Sequence, residues 1–315
     1  MRWATLGTTG PTISRLGIGG WQAGGSGPWG AGENADDERA IAAIRRAVER
    51  GVGWVDTAAS YGLGHSEEVV RRALEPWRVG DEVLVFTKCG HPWEPPDRIW
   101  TELSGGSIGR ECEGSLRRLG VDRIDLYQLH HADPSTPVEE SWTVMDDLVR
   151  AGKVRWAGVS NFGVPLLDRC EAVRHVDAIQ PELSLLRPEA RRDVIPWARR
   201  HGSGVLVYSP LAGGMLAGTH DRKRLASLPT DDSRRRAADV IADLIDELTA
   251  VADRASLDLK HLALGWALSV EGVTAAICGA RTDDQVDGWI GAVDAPLDAT
   301  TLAEVEGIAR HRGLM

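Results

Sequence analysis

Short apolar runs recur along the chain, each rich in β-branched or aromatic residues and each bounded by turn or cap residues. The stretches between them repeat their apolar positions every three to four residues. Eight such runs stand out: RLGIG at 15–19, VGWVDT at 52–57, EVLVFTK at 82–88, RIDLYQLH at 123–130, VRWAGVS at 154–160, VDAIQ at 176–180, GVLVYS at 204–209 and VTAAICG at 273–279. The intervening segments include DDERAIAAIRRAVERG, SIGRECEGSLRRLG and PVEESWTVMDDLVRAGK. They carry acids near their starts and Arg, Lys or Gly near their ends, the polarity a helix dipole favours. Strand and helix therefore alternate. Eight such units in 315 residues predict an α/β fold of the parallel (β/α)8 TIM-barrel type rather than a doubly wound sheet with a second domain.

No Pro- or Ser-rich linker divides the chain, so residues 1–315 are expected to form a single domain. Two connections are longer than a barrel needs. CGHPWEPPDRIWTELSGGS follows the third strand and LAGGMLAGTHDRKRLASLPTDDSRRR the seventh. Extended loops after barrel strands sit on the catalytic face and serve as lids or specificity loops.

Composition narrows the class. Hydrophobic residues at 43% and charged residues at 26% are those of a soluble globular protein. No apolar run approaches the roughly 18 residues a membrane span requires. MRWATLGTTGPTISRLGIGG lacks the apolar core of a signal peptide, which points to the cytoplasm. A net charge of −10 argues against a nucleic-acid-binding surface. Cys89, Cys112, Cys170 and Cys278 are widely spaced without a CxxC pair, so they are expected to be reduced core thiols. The Ala, Arg and Gly bias suits a bacterial genome of high GC content.

All strands of a parallel barrel end on one face, where active sites form. The residues at those ends are Gly20 and Trp21, Asp56, Lys88, His130, Ser160 with Asn161, Gln180, Tyr208 with Ser209, and Gly279 with Ala280 and Arg281. Asp56, Lys88 and His130 end consecutive strands, and Tyr61 lies just past Asp56 in DTAASYGLGHSE. A free tyrosine titrates near pH ~10. An adjacent ammonium lowers that value, and Asp56 would hold the lysine charged, so the group has the makings of a tuned acid. HHAD at 130–133 invites a metal reading, which the opposite facing of adjacent strand residues disfavours; no metal is expected.

This constellation resembles the aldo-keto reductases over nearly the whole chain, from LGIGGWQAGG to GARTDDQV. DTAxxYG at 56–62, TK at 87–88, GSLRRLGVDRIDLYQLH at 114–130, GKVRWAGVSNF at 152–162 and YSPLAGGML at 208–216 fall in the family's order. The resemblance implies a barrel that binds a nicotinamide cofactor without a Rossmann domain and reduces an aldehyde or ketone reversibly. GSGPWG at 25–30 is formally GxGxxG, but it lacks the strand, tight turn and immediate helix of a dinucleotide fingerprint.

By matching position, the resemblance makes Tyr61 the general acid, Lys88 and Asp56 its tuning pair, and His130 the donor that orients the carbonyl. Ser160, Asn161 and Gln180 would meet the carboxamide and Tyr208 the nicotinamide ring. Ser209, Leu211 and Gly213 would cover the pyrophosphate, and Gly279, Ala280, Arg281 and Gln285 would take the adenosine-phosphate end. Trp21 and Trp93 are expected to border the substrate. NADP(H) is expected from the charge of Arg281, with NAD(H) left open by Asp283 and Asp284 and by Gly288 and Trp289, which depart from the family pattern. Leu183 stands where many relatives have tyrosine. Two other readings compete: a cofactor-holding regulatory subunit with little turnover, and a Schiff-base enzyme with Lys88 as nucleophile.

Overall fold

In a computed structural model that describes residues 1–25, 36–95, 98–218, 223, 227, 238–294 and 296–315, each of the eight runs contributes a strand. These are β1 (Leu16–Gly19), β2 (Trp54–Asp56), β3 (Leu84–Cys89), β4 (Ile124–Leu129), β5 (Val154–Ser160), β6 (Ala178–Gln180), β7 (Gly204–Val207) and β8 (Ala275–Gly279). Each pairs in parallel with its chain neighbours, and β8 closes on β1 from Ala276↔Leu16 to Gly279↔Gly19. The result is the closed (β/α)8 barrel that the alternation predicts.

The three helical segments form where their end signals place them. α1 (Asp37–Glu49) starts at Asp36, whose carboxylate accepts from the Arg39 amide, and so satisfies one of the orphan donors of a helix start. α2 is His65–Leu74. α3 (Gly105–Leu119) ends at Gly120, left-handed at φ 68°, a conformation glycine adopts without steric cost. α4 is Val138–Arg150, and α5 (Val164–Val173) and α6 (Val194–His201) follow. Beyond β7 come α7 (Ala238–Arg254) and α8 (Leu259–Ser269), then α9 (Asp283–Ile290) after β8 and α10 (Ala299–His311).

Strand side chains alternate between two cores. Val55, Val85, Tyr127 and Val159 point outward into the layer shared with the helices. Trp54, Phe86, Leu126, Ala178, Leu206 and Ala275 point inward and fill the barrel. A hairpin of Trp3–Thr5 and Thr12–Ser14 closes the end opposite the strand C-termini and adds Leu6 and Ile13 to this inner core. It is tied down by Thr8 N to Gly202 O at 2.8 Å, Trp156 Nε1 to Thr9 O at 2.9 Å and Trp54 Nε1 to Ser14 O at 2.8 Å. Gly17 makes room for Trp54, because a Cβ there would stand 2.3 Å from the indole.

The same period carries inward-facing Trp54 to Asp56, Phe86 to Lys88, and Leu126 to Gln128. Three polar side chains therefore enter the barrel one layer above the apolar filling. The four cysteines are free and buried, as expected.

After β3 comes a short antiparallel pair, Trp93–Glu94 against Arg98–Ile99. Leu103 N donates to Asp133 Oδ2 at 3.0 Å, and Gly90 N to Glu111 Oε2 at 3.1 Å. Burial pushes the Glu111 carboxyl up to about 7, with the Gly90 amide and Ser107 hydroxyl opposing. A raised carboxyl means the folded chain holds its proton longer than the unfolded one. This contribution is fully present below the ordinary glutamate range and is lost as pH rises through about 7. The stability of Glu111→Gln relative to wild type is expected to rise by on the order of 1 kcal/mol between pH 6 and 8. Urea melts of both proteins across that range check this; parallel pH profiles would contradict it.

Candidate active site

Asp56 is 3% exposed and Lys88 1%. Lys88 Nζ donates to Asp56 Oδ1 and, at 3.0 Å, to the Thr57 carbonyl. The other carboxylate oxygen accepts from Gln180 Nε2 at 2.8 Å and Gln128 Nε2 at 3.4 Å. An ion pair this deep persists only when its remaining hydrogen-bonding capacity is met, and here the Thr57 carbonyl and the side chains of Gln128 on β4 and Gln180 on β6 meet it.

Tyr61 stands on the turn after β2, held by its amide to Ala58 O at 3.1 Å. Gly24 lies so close that a Cβ there would be 2.9 Å from the Tyr61 carbonyl carbon. The Tyr61 ring meets His130 edge-on with centroids 5.7 Å apart, and Lys88 Nζ is 5.5 Å from the Tyr61 centroid. The structure thus brings Asp56, Tyr61, Lys88 and His130 together.

Electrostatics at Tyr61 correct one expectation. The phenol is pushed up, not down: burial acts first and the Asp56 carboxylate adds to it. The reason is that Lys88 does not act as a lone cation. Bonded to Asp56 it is offset by that carboxylate, and desolvation dominates. Burial likewise lowers the Lys88 ammonium, with Asp56 opposing. His130 is held well below the ordinary histidine range by burial, then by Lys88, His91 and His131. At neutral pH the site presents an uncharged phenol and an uncharged imidazole.

From this end a cavity of about 750 Å³ runs along the strand ends to α9. Asp56, Tyr61, His130 and Trp21 line its reactive end, with Ser160, Asn161, Gln180 and Tyr208 beside them. Asn161 Oδ1 accepts from the Tyr208 hydroxyl at 2.8 Å, and its Nδ2 lies 3.0 Å from both His130 O and Ser160 Oγ. Asn161 and Ser209 have φ of 61° and 53°, a region sparsely used outside glycine and often found at functional positions. Ser209, Leu211 and Gly213 form the middle of the wall, and Gly279, Ala280, Arg281 and Gln285 the far part. There the Thr282 hydroxyl accepts from Gln285 N and Gln285 Oε1 accepts from Arg281 N.

Other expected positions fall elsewhere. Trp93 is not among the residues lining the cavity; it packs under the Arg118 guanidinium, 5.0 Å from the ring. His130 and His131 do not face opposite sides. β4 ends at Leu129, so strand alternation no longer applies and their rings stack at 4.9 Å. Lys88 lies beneath Asp56 without lining the cavity, which removes the access a Schiff-base nucleophile needs. Leu183 is fully buried. Most of GSGPWG, RKR at 222–224 except Lys223, and RRR at 234–236 lie outside the described residues.

Several wall residues escape a strand-end census. Gln128, which bonds to Asp56 beneath the wall, is readable from alternation in YQLH. Gln22 is not: it rests on Gly279, where a Cβ would come within 2.1 Å of Gln22 Nε2. Lys260, His131 and Trp289 also line the cavity. Gln22 Oε1 and Trp289 Nε1 are buried there without a hydrogen-bond partner in the structure, one an acceptor and one a donor. A long ligand with amide and heteroaromatic polar edges fits this donor set and the strip of polar groups between.

The aldo/keto reductase family model matches residues 15–310, and the chain belongs to that family. It is 33% identical over 317 residues to aldo-keto reductase YhdN of Bacillus subtilis, covering 96% of this chain and 94% of that one. It is 31% identical over 323 residues to the NADH-specific methylglyoxal reductase of Escherichia coli, covering 97% and 98%. Among solved structures, the glycerol dehydrogenase of Gluconobacter oxydans superposes with a TM-score of 0.90 at 31% identity, covering 99% of this chain and 96% of that one. The holo form of an aldo-keto reductase from Bacillus halodurans gives 0.82 at 26% identity, covering 98% and 96%. The protein is an oxidoreductase that reduces a carbonyl compound with NAD(P)H; nothing in these likenesses supports a subunit of little turnover. Among the described residues no helix is long and apolar enough to cross a membrane.

Proposed function

We propose that the chain is an NADPH-preferring reductase of small aldehydes or ketones, with Tyr61 as proton donor, His130 as the carbonyl-orienting donor, and Asp56 and Lys88 as the buried pair that supports Tyr61. The observation that carries this reading is the gathering of those four side chains at one end of a cavity whose other end holds two cations, Arg281 and Lys260.

When bound, the nicotinamide supplies the hydride. The chain's own residues have the complementary task at the carbonyl oxygen, where negative charge develops. A neutral phenol keeps its proton until that charge appears, and a neutral imidazole offers one N–H without a full charge that would demand solvation. Two fixed donors aimed at one developing oxyanion are the usual source of most rate enhancement. As Tyr61 gives up its proton, the Lys88 ammonium 5.5 Å from the ring is placed to stabilise the phenolate.

At the far end, Arg281 and Lys260 favour a 2′-phosphate, while Asp284 on the same wall and Asp258, 2.9 Å from Lys260 Nζ, temper the field. Arg281→Ala is expected to raise the KM for NADPH about tenfold, the loss of one charge-assisted contact of roughly 1.5 kcal/mol, and to leave NADH nearly unchanged. Cofactor consumption measured with methylglyoxal and with an activated aromatic aldehyde tests the whole reading. Equal loss with both cofactors would remove the NADP preference, and absence of turnover with either aldehyde would remove the substrate class.

A further inference from the structure

We propose that His91, His130 and His131 form a binding site for a divalent transition metal of borderline softness, Zn2+ above all, and that its occupancy silences the reductase. Each of the three rings brings a nitrogen within 4.8 Å of the other two. Ring centroids lie 5.1 Å apart for His91 and His130, 5.0 Å for His91 and His131, and 4.9 Å for His130 and His131. His91 follows β3, and the other two follow β4. These strands are paired from Phe86↔Leu126 to Cys89↔Leu129, so the barrel itself holds the donors side by side.

The facing nitrogens are His91 Nε2 and His131 Nδ1, 2.8 Å apart across a shared proton. Nitrogens bound to a tetrahedral Zn2+ at 2.0–2.1 Å lie about 3.3 Å from one another. The close pair must therefore open by about half an ångström and the widest close by at most about 1.5 Å, movements within reach of ring rotation. The donors are all imidazole nitrogen with no carboxylate among them, a set that suits Zn2+ and disfavours Mg2+ or Ca2+. His130 and His131 both line the cavity, which leaves the fourth coordination position open to water.

Two interactions oppose binding. The Lys88 ammonium repels a cation, although its pairing with Asp56 reduces the field. For the metal to take Nδ1 of His131, the proton there moves to Nε2, and the 3.1 Å contact with Asn161 Nδ2 is given up. Occupancy would thus withdraw His130 from the carbonyl and disturb Asn161. The silencing rests on the role proposed for His130; the metal site itself does not.

The test uses the full chain freed of metal by dialysis against a chelator, then titrated with Co2+ and displaced by Zn2+. One equivalent of Co2+ is expected to give the intense visible bands of a four-coordinate ion. His91→Ala and His131→Ala should each weaken binding by at least the ~10- to 100-fold that even a lost outer-shell partner costs. The two substitutions sit on different loops, so misfolding of one, checked by circular dichroism, leaves the other informative. Zn2+ should abolish turnover over the same concentration range, and chelator should restore it. Absence of the cobalt bands, or affinity unchanged in both variants, overturns the site. Tight binding lost in the variants but without effect on turnover keeps the site and overturns the silencing, together with the role of His130.

Discussion

Tyr61→Phe is expected to lower kcat by about 10²- to 10⁴-fold, the range that follows loss of a placed general acid. The substitution removes one hydroxyl and keeps the ring that meets His130 at 5.7 Å and Lys88 at 5.5 Å, so packing and ion pair survive. Cofactor affinity, measured by fluorescence titration, should hardly change. The structure makes this a sharp test because the phenol is held proton-loaded by burial and by Asp56. There is no ionised fraction whose loss could mimic the effect. A phenylalanine variant that turns over within a few fold of wild type would place the proton donor elsewhere.

Lys88→Met has the largest expected effect on stability. The methionine fills the volume but leaves Asp56, 3% exposed, without its cation. Breaking a buried pair in this way typically costs about 3–5 kcal/mol, because the remaining charge stays desolvated. The amides of Gln180 and Gln128 keep their bonds to Oδ2 and favour the lower end of that range. In the double variant Lys88→Met, Asp56→Asn no charge is left uncompensated, and most of the stability should return while turnover does not. Urea denaturation of the wild type, the single variant and the double variant separates these outcomes. A double variant no more stable than the single one would mean that the cost lies in packing, not charge.

Much of the architecture is legible from the chain because burial imposes a period. Each strand alternates, so the inward set beginning at Trp54, Phe86 and Leu126 leads by twos to Asp56, Lys88 and Gln128. Strand ends in a parallel barrel converge by topology alone, which is why residues from Ser160 to Gln285 meet around one cavity although they are far apart in sequence. Alternation stops where strands stop. His131 escapes the rule because β4 ends two residues earlier, and the placement of His91 and Trp93 depends on a hairpin whose shape follows from Glu111, Asp133 and Arg118. The electrostatics of Tyr61 are illegible for another reason. Residue types reveal that a lysine and an aspartate are near, but the sign of their joint effect depends on their bonding to each other and on depth. Gln22 against Gly279 is a contact between loop and strand that no local pattern announces.

The hairpin beneath the barrel has a consequence for the order in which the chain can fold. Leu6 packs among Trp54, Ala178, Leu206 and Ala275, and Thr8 bonds to Gly202, so the first turn of the molecule is completed by residues made almost two hundred positions later. Closure of β1 on β8 is more distant still. Contacts of such sequence separation form late, because loop entropy is lost before they return anything. During synthesis the early strands emerge without their closing partners and expose open edges and apolar faces meanwhile. The buried ion pair at the opposite rim, which needs Gln180 as well as β2 and β3, is therefore assembled only after more than half of the polypeptide has left the ribosome.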